Sequence, residues 1–249
     1  MSAPWQKDGY EAVIGLEIHV QLATNSKMFC SCANQFGDEP NTNVCMVCLA
    51  HPGAMPVANA EAIRQATRVG VALGCRIPET SEFSRKQYFY PDSPKAYQIS
   101  QYDQPMCAEG LFRVPGEGGF DVRLTRAHLE EDAAKMIHAG GEGGRISGSA
   151  GSIVDFNRVG TPLLEIVSEP DIRSPEDARR FLTLLRATVV AACTAMSTAA
   201  ISRFSLAQIV RIRSAWCERT QSRTKRVVAP SLASPFSTPS SVSGRIQLR

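Results

Sequence analysis

The sequence predicts an α+β fold with a mixed, largely antiparallel sheet and a few flanking helices. Residues 11–22 alternate apolar and polar side chains, which is typical of a half-buried strand, and residues 161–168 form a second, strongly apolar strand. Helical patterns begin at residue 58 and at Ser174. Because strands and helices follow one another without regular alternation, the order favours α+β over a doubly wound parallel sheet.

The strand at 11–22 and the helix at 58–73 are the first two elements. Alternation on the strand puts apolar residues on one face and Glu17, His19 and Gln21 on the other. The helix has a predicted buried stripe made of Ala62, Ile63, Ala66, Val69 and Leu73. Asn59 is placed to cap its first turn, and Gly74 is placed to end it.

The middle of the chain is rich in turns. Residues 80–104 are aromatic and turn-rich, and residues 120–129 predict another strand. The glycine-rich residues 140–151 match no phosphate-loop spacing, so they predict a flexible hairpin connection. Residues 174–177 supply an N-cap serine, a proline at the first helical position and two acids, and we therefore expect a second helix there.

Two close cysteine pairs stand in the first quarter of the chain. They are Cys30, Cys32, Cys45 and Cys48, in a C-x-C and a C-x-x-C arrangement. This spacing predicts a structural zinc knuckle, with two disulfides, a redox-active C-x-x-C and metal-free thiols as the alternatives. Nothing at the N-terminus resembles a secretion signal, and no run of about 18 apolar residues predicts a membrane span. We therefore expect a cytoplasmic protein that is not inserted in a membrane.

Residues 191–249 differ in composition from the rest of the chain. They hold eleven serines, and nine Lys or Arg against one Glu, which gives this segment a net charge of +8 while the whole chain carries +3. Residues 1–190 therefore carry −5. We divide the chain at this point and expect the second part to be disordered. Two interpretations stay open: a basic arm that binds RNA, or a polypeptide translated in a shifted frame.

Acidic side chains beside histidines form the candidate site. Glu17 and His19 leave the same face of one strand, about 6.6 Å apart along it, and together suit a divalent ion. Glu165 lies in a strongly apolar strand, where a buried carboxylate needs a partner, a proton or a metal. Residues 128–132 add three consecutive acids next to an imidazole. Oxygen-rich ligands favour Mg²⁺, which usually arrives with phosphate groups.

Aromatic and cationic residues alternate between positions 85 and 105. The cations are Arg85, Lys86 and Lys95, and four tyrosines and a phenylalanine lie among them. This composition is typical of surfaces that stack unpaired bases and hold phosphates. An aromatic corner of the core, fixed by prolines, is the alternative interpretation.

These segments resemble the GatB/GatE family, which contains the GatB subunits of the aspartyl/glutamyl-tRNA(Asn/Gln) amidotransferases. The resemblance is carried by VIGLEIHVQL, by the cysteine segments, and by RKQYFYPDSPKAYQISQYDQP, TRAHLEEDAAK and VDFNRVGTPLLEIVSEPDIRSPEDA. It follows the chain in order over about residues 9–190. The resemblance implies a catalytic domain built as a sheet cradle.

The activity that the resemblance implies is that of a carbon–nitrogen ligase, of the glutaminyl/asparaginyl-tRNA synthase (glutamine-hydrolysing) type. Such proteins use ATP and Mg²⁺ to phosphorylate the side-chain carboxylate of Glu on tRNA(Gln) or of Asp on tRNA(Asn), and ammonia then displaces the phosphate. The implied partners are a GatA-like amidase subunit, which supplies the ammonia, and a small GatC-like subunit, together forming a heterotrimer.

The resemblance also assigns expected roles to residues. By motif position, Glu17, His19, Glu131 and Glu165 are expected to be catalytic and to bind Mg²⁺. The four cysteines fall where zinc-bearing members have their knuckle, which implies a structural zinc ion. The three cations at positions 85, 86 and 95 are expected to contact phosphate or the tRNA end.

The family pattern is not followed after about residue 190. The acidic and lysine-rich blocks of the family are missing there, and a serine- and arginine-rich run takes their place. We therefore expect residues 191–249 to be an aberrant end, and the chain with this end to be inactive. The alternative function is a non-catalytic, zinc-stapled RNA-binding module whose basic tail is genuine.

Overall fold

The fold is built on one antiparallel sheet, seen in a computed structural model that describes residues 6–7, 10–139, 148–194 and 204–214. The elements in chain order are β1 (Gln6–Lys7), β2 (Tyr10–Gln21), α1 (Ala60–Ala72), β3 (Ser84–Gln87), β4 (Tyr97–Ser100), β5 (Cys107–Val114), β6 (Phe120–Glu131), β7 (Lys135–Ala139), β8 (Gly151–Asp155), a short 3-10 helix (Phe156–Arg158), β9 (Pro162–Ser168), α2 (Pro175–Thr194) and β10 (Phe204–Ser214).

The main sheet has the order β1-β2-β9-β6-β5, and β10 also pairs with β2. All of its described pairings are antiparallel. The hairpins β3–β4 and β7–β8 form two separate small sheets. The predicted α+β class, with a largely antiparallel sheet and flanking helices, is confirmed.

Strand β2 forms as its alternation predicts, with apolar side chains on one face of the sheet and polar side chains on the other. Ile18 and Val20 are fully buried, and they lie directly opposite Ile166 and Leu164 of β9. Apolar cross-strand pairs of this kind stabilise a sheet and fix its register. Because alternate residues point to opposite faces, the other face carries the polar residues of β2 and, from β9, Glu165 between two apolar side chains.

Helix α1 packs its buried stripe on the apolar face and confirms the helix predicted at 58–73. The side-chain oxygen of Asn59 accepts hydrogen bonds from the backbone N–H groups of Glu61 (2.9 Å) and Ala62 (3.3 Å). Such an N-cap satisfies donors that have no partner within the helix. Gly74 follows the helix with a φ of +68°, a left-handed conformation that ends helices and suits glycine.

Helix α2 begins as residues 174–177 predict and covers the rest of the apolar face. The hydroxyl of Ser174 accepts a hydrogen bond from the backbone N–H of Asp177 at 3.1 Å. Phe181 is fully buried and meets Phe112 of β5 edge to face, with ring centroids 5.6 Å apart. Burial of such a side chain contributes about 1.5–3 kcal/mol. The two helices thus shield one side of the sheet and leave its polar side for other elements.

Strand β6 is longer than the predicted strand at 120–129. It runs to Glu131 and contains an irregularity in its pairing with β9 between Leu124 and Arg126. The longer strand carries an additional acid, Glu130, along the polar side of the sheet. Strands β7 and β8 pair on either side of the glycine-rich segment, and residues 140–147 themselves lie outside the described residues.

The C-terminal segment is described in part. Strand β10 pairs with β2 from Phe204 opposite Val20 to Ser214 opposite Tyr10. Residues 195–203 and 215–249 lie outside the described residues, so for them the expected disorder stays a prediction, whereas residues 191–194 and 204–214 lie in α2 and β10. The division at residue 190 also stays a prediction. Among the described residues, no helix combines the length and the hydropathy that a membrane crossing requires.

Candidate active site and cysteine knuckle

Three neighbouring strands bring distant residues together on the polar side of the sheet. Glu165 of β9 lies directly opposite His19 of β2 on one side and directly opposite His128 of β6 on the other. Glu130 stands two residues beyond His128 on β6, and residues two apart on a strand project from the same face. Register therefore gathers two imidazoles and two carboxylates from three segments of the chain.

Both carboxylates lie close to the same imidazole nitrogen. His19 Nε2 lies 3.2 Å from Glu165 Oε2 and 3.3 Å from Glu130 Oε1. One ligand atom from each of the three residues lies within 4.8 Å of the others. Both carboxylates are buried, at 2% exposure for Glu130 and 6% for Glu165. Two buried carboxylates and an imidazole form a donor set that fits a divalent cation.

Protons compensate the negative charge of this three-donor group. Hydrogen bonds to Glu130 and Glu165 raise the pKa of His19 to about 10, so its imidazole is protonated at neutral pH. Burial opposes ionisation of Glu130, yet hydrogen bonds from His128 and His19 hold the pKa of this carboxyl well below its usual range. A divalent cation among the same donors would supply the positive charge that the His19 proton otherwise supplies.

The structure brings together two of the four residues that the sequence predicts for this centre, His19 and Glu165. Glu17 lies two residues before His19 on β2, opposite Val167, and its carboxylate is not in the three-donor group. Glu130 completes that group, although the sequence prediction names Glu131. Extending the period-2 alternation of β6 by two residues would have found Glu130, because it puts this acid on the His128 side.

Glu131 turns instead toward the β3–β4 hairpin. Its carboxylate accepts hydrogen bonds from Lys95 Nζ at 2.7 Å and from the backbone N–H of Ile99 at 3.1 Å. Burial raises the pKa of Glu131 although the Lys95 ammonium opposes that shift. The predicted Mg²⁺ and catalytic roles of Glu131 and Glu17 stay predictions, and Lys95 is held here in an ion pair.

An open cleft of about 780 Å³ lies beside the three-donor group. Its walls include His19, Glu130, Glu131, Lys86 and Lys95. This volume is in the range of sites that hold small molecules and cofactors. Lys86 and Lys95 thus line the cleft, and their predicted phosphate contacts stay predictions.

Arg85, the third predicted phosphate contact, is placed differently. It is exposed on β3 and lies over the ring of Tyr97, with 4.8 Å between its guanidinium carbon and the ring centroid. It is not among the residues that line the described cleft. Its predicted phosphate contact stays a prediction.

The four knuckle cysteines meet at one point. Their sulfurs all lie within 4.8 Å of one another, and those of Cys45 and Cys48 are 3.9 Å apart. Zinc–sulfur bonds of about 2.3 Å in a tetrahedron require sulfurs about 3.8 Å apart. The arrangement therefore fits a four-coordinate zinc ion, and a closed shell of four sulfurs leaves no position for a substrate.

Proton sharing within the knuckle favours one thiolate. A hydrogen bond from the Cys30 thiol, supported by the backbone N–H of Cys45 and the charge of Lys27, lowers the pKa of Cys48 to about 4. The same hydrogen bond and burial raise the pKa of Cys30, and burial raises that of Cys32 to about 11. A bound metal ion would instead hold all four as thiolates.

Lys27 is a fully buried cation beneath the knuckle, and the sequence prediction missed it. Its ammonium donates to the backbone carbonyls of Asn43 at 2.6 Å and Phe156 at 3.4 Å, and it lies 3.9 Å from the sulfur of Cys48. Buried lysines are rare unless they are paired. A zinc ion with four thiolates carries two net negative charges, and Lys27 is placed to offset one of them.

We expect Lys27→Met to lower the free energy of unfolding by about 1–3 kcal/mol, because the Asn43 carbonyl loses its donor in a buried place. It should also speed the loss of zinc to a chelator. Urea unfolding and a colorimetric chelator assay measure the two effects. Lys135→Met, an exposed lysine on β7, is the matched control. A Lys27 variant that behaves like this control would contradict the role given to the buried ammonium.

A smaller cavity of about 260 Å³ is lined by residues of both regions. It is lined by Cys30 and Cys48 of the knuckle and by Lys95 and Glu131 beside the cleft. Lys95 and Glu131 line both this cavity and the cleft, so we expect collapse of the knuckle to disturb the cleft.

These features describe one type of protein: an antiparallel sheet that carries a histidine–carboxylate group able to hold a divalent cation, together with a four-cysteine knuckle. A family model described as the GatB/GatE catalytic domain matches residues 12–213. The match extends beyond residue 190, where the resemblance noted in the sequence ends, and it includes most of β10.

Curated relatives agree with this match. The chain is 57% identical over 178 residues to a protein of Frankia casuarinae, covering 71% of the chain and 35% of the relative. It is 53% identical over 183 residues to one of Mycolicibacterium smegmatis, covering 71% and 36%. Both relatives are named as the GatB subunit of an aspartyl/glutamyl-tRNA(Asn/Gln) amidotransferase. The chain belongs to the GatB/GatE catalytic-domain family, and it spans about a third of the length of these relatives.

Proposed function

We propose that this protein is an ATP-dependent amidotransferase subunit, which phosphorylates the side-chain carboxylate of Glu-tRNA(Gln) or Asp-tRNA(Asn) and passes ammonia to it. The observation that carries the proposal is the convergence of His19, Glu130 and Glu165 beside an open cleft that two lysines also reach. The names of the curated relatives support the tRNA-linked substrate. The products are Gln-tRNA(Gln) or Asn-tRNA(Asn), ADP and phosphate.

The chemistry needs an activated acyl group. A carboxylate is a poor acyl donor, so its oxygen first takes the γ-phosphoryl group of ATP and ADP leaves. Ammonia then attacks the carbonyl carbon, the carbon–oxygen bond breaks, and phosphate leaves as the amide forms. Bound Mg²⁺ would neutralise phosphate charge, and His19, Glu130 and Glu165 would hold it. Lys86 lines the cleft from β3 and is placed to pair with phosphate oxygens.

The proposal includes further components. The cysteine knuckle holds a structural zinc ion, which keeps the loop between Cys30 and Cys48 folded against the site. An amidase of the GatA type supplies ammonia, and a small GatC-like subunit completes a cytoplasmic heterotrimer. The family match ends at residue 213, and the serine- and arginine-rich composition of the residues that follow supports the proposal of an aberrant end.

The test is ATP cleavage that depends on mischarged tRNA. The chain would be incubated with Mg²⁺, ATP and Glu-tRNA(Gln) or Asp-tRNA(Asn), with ammonium chloride as the ammonia source so that no amidase is needed. A second version, with the coding frame restored after codon 190, would be run in parallel. We expect ADP and amidated tRNA from the restored version and little from the present chain.

Two other outcomes decide against parts of the proposal. Full activity of the present chain would contradict the aberrant-end interpretation. If neither version cleaves ATP while both bind the tRNA, the zinc-stapled RNA-binding module is the better description.

A further inference from the structure

His128 is a buried imidazole behind the metal centre, and it has a partner on each side. It is 3% exposed and lies on β6 opposite Glu165. Its Nε2 atom is 3.7 Å from Glu165 Oε2 and 3.8 Å from Glu130 Oε2. Its Nδ1 atom is 3.3 Å from Nε of Arg126. The ring therefore separates a guanidinium group from the two carboxylates of the centre.

The Arg126 contact determines where the His128 proton lies. A guanidinium group donates hydrogen bonds and accepts none, so Nδ1 must offer its lone pair. The neutral ring then carries its hydrogen on Nε2, which faces the two carboxylates. His128 is thus held as a donor toward Glu130 and Glu165, and its Nε2 lone pair is not free to bind a metal ion.

The two oxygens of Glu130 are divided between different partners. Oε1 lies 3.3 Å from His19, on the side of the three-donor group. Oε2 accepts a hydrogen bond from the hydroxyl of Ser100 at 3.4 Å and faces His128. A carboxylate anchored through one oxygen presents the other in a fixed direction, as metal-binding carboxylates require.

Arg126 is itself held in place. Its guanidinium carbon lies 5.0 Å from the ring centroid of Tyr102, a residue that is 67% exposed. The contacts therefore run from an exposed aromatic ring through Arg126 to His128 and end at the metal-binding carboxylates. A cation–π contact at an exposed site contributes little to the free energy of folding, but it restricts the orientation of the guanidinium group.

We propose that His128, with its proton fixed on Nε2 by Arg126, is a positioning residue that aims the carboxylates of Glu130 and Glu165 at the cation. This inference rests on the metal centre of the proposed function. It predicts that Arg126, which does not touch that centre, controls the affinity for the cation. Loss of a partner behind a metal ligand typically costs 10–100-fold in affinity.

The first measurement needs no metal. Nitrogen-15 NMR of the full chain labelled at its four histidines reports which ring nitrogen carries hydrogen, and the spectrum of His128→Gln identifies the His128 signals. We expect hydrogen on Nε2 alone in the wild-type chain, and we expect Arg126→Met to lift this restriction. Hydrogen on Nδ1, or on both nitrogens, would overturn the inference.

The second measurement is Mn²⁺ binding, followed by electron paramagnetic resonance. We expect about tenfold weaker binding for Arg126→Met and for His128→Leu. His128→Gln retains an N–H donor and should recover most of the affinity. Equal affinity of His128→Leu and wild type would refute the positioning role. Absence of Mn²⁺ binding in the wild type would instead refute the metal centre of the proposed function, together with the role built on it.

Discussion

Glu165→Gln is expected to weaken Mn²⁺ binding by at least about 100-fold. Loss of a residue that holds a metal ligand in place typically lowers the metal affinity 10–100-fold. Loss of the ligand itself should lower the affinity by at least the upper end of that range. The substitution keeps the shape of the side chain but removes the negative charge that faces His19 at 3.2 Å and His128 at 3.7 Å. The same variant of an active enzyme should lose phosphoryl transfer.

Glu109→Gln is the matched control for this prediction. Glu109 is an exposed acid on β5, paired only loosely with Arg76 at 3.8 Å, so its replacement should leave Mn²⁺ affinity unchanged. Circular dichroism would show that both variants keep the sheet. Unchanged Mn²⁺ affinity in a folded Glu165→Gln variant would remove this residue from the centre.

Cys45→Ser is expected to release about one zinc ion per chain and to lower stability. A ligand present at 100 times its dissociation constant stabilises a protein by about 2.7 kcal/mol, and the variant should lose at least that amount. The loop that Cys45 closes also lines the cavity beside Lys95 and Glu131, so its loss should expose this region to protease. Elemental analysis and urea unfolding measure the two main effects.

A second cysteine variant distinguishes the loss of zinc from a general loss of stability. Cys193 is buried on α2 and lies outside the knuckle, so Cys193→Ser should keep its zinc even where stability falls. If the wild-type chain itself contains no zinc, the metal assignment of the knuckle is wrong. The four thiols would then be structural contacts only.

The two groups of residues that could hold a metal ion differ in how directly the sequence reveals them. The cysteine ligands lie within 19 consecutive residues at spacings that a knuckle requires, so a local pattern is sufficient to propose them. His19 and Glu165 are separated by 146 positions and meet only because β2 and β9 pair in one register. Each stands out by a local feature: a polar face on one strand, and an acid in an apolar strand.

The two adjacent acids at the end of β6 show where a local pattern is not sufficient to identify a site residue. Glu130 and Glu131 are neighbours in the sequence, but successive side chains of a strand point in opposite directions. Ending the strand at residue 129 removes the alternation that would distinguish them. In the structure the carboxylate of Glu130 contacts His19, and that of Glu131 forms an ion pair with Lys95.

Local patterns in the chain were sufficient to predict α1, α2 and their caps, the strands β2, β6 and β9, the four-cysteine cluster and two members of the histidine–carboxylate centre. These features depend on side-chain period and short spacing, which neighbouring residues encode. Long-range packing was needed to show which acid completes the centre, that Lys27 is buried beside the Cys48 sulfur, and that Arg126 donates a hydrogen bond to His128. Those contacts depend on strand register and on packing between segments far apart in the chain, where a shift of one residue reverses the direction of a side chain.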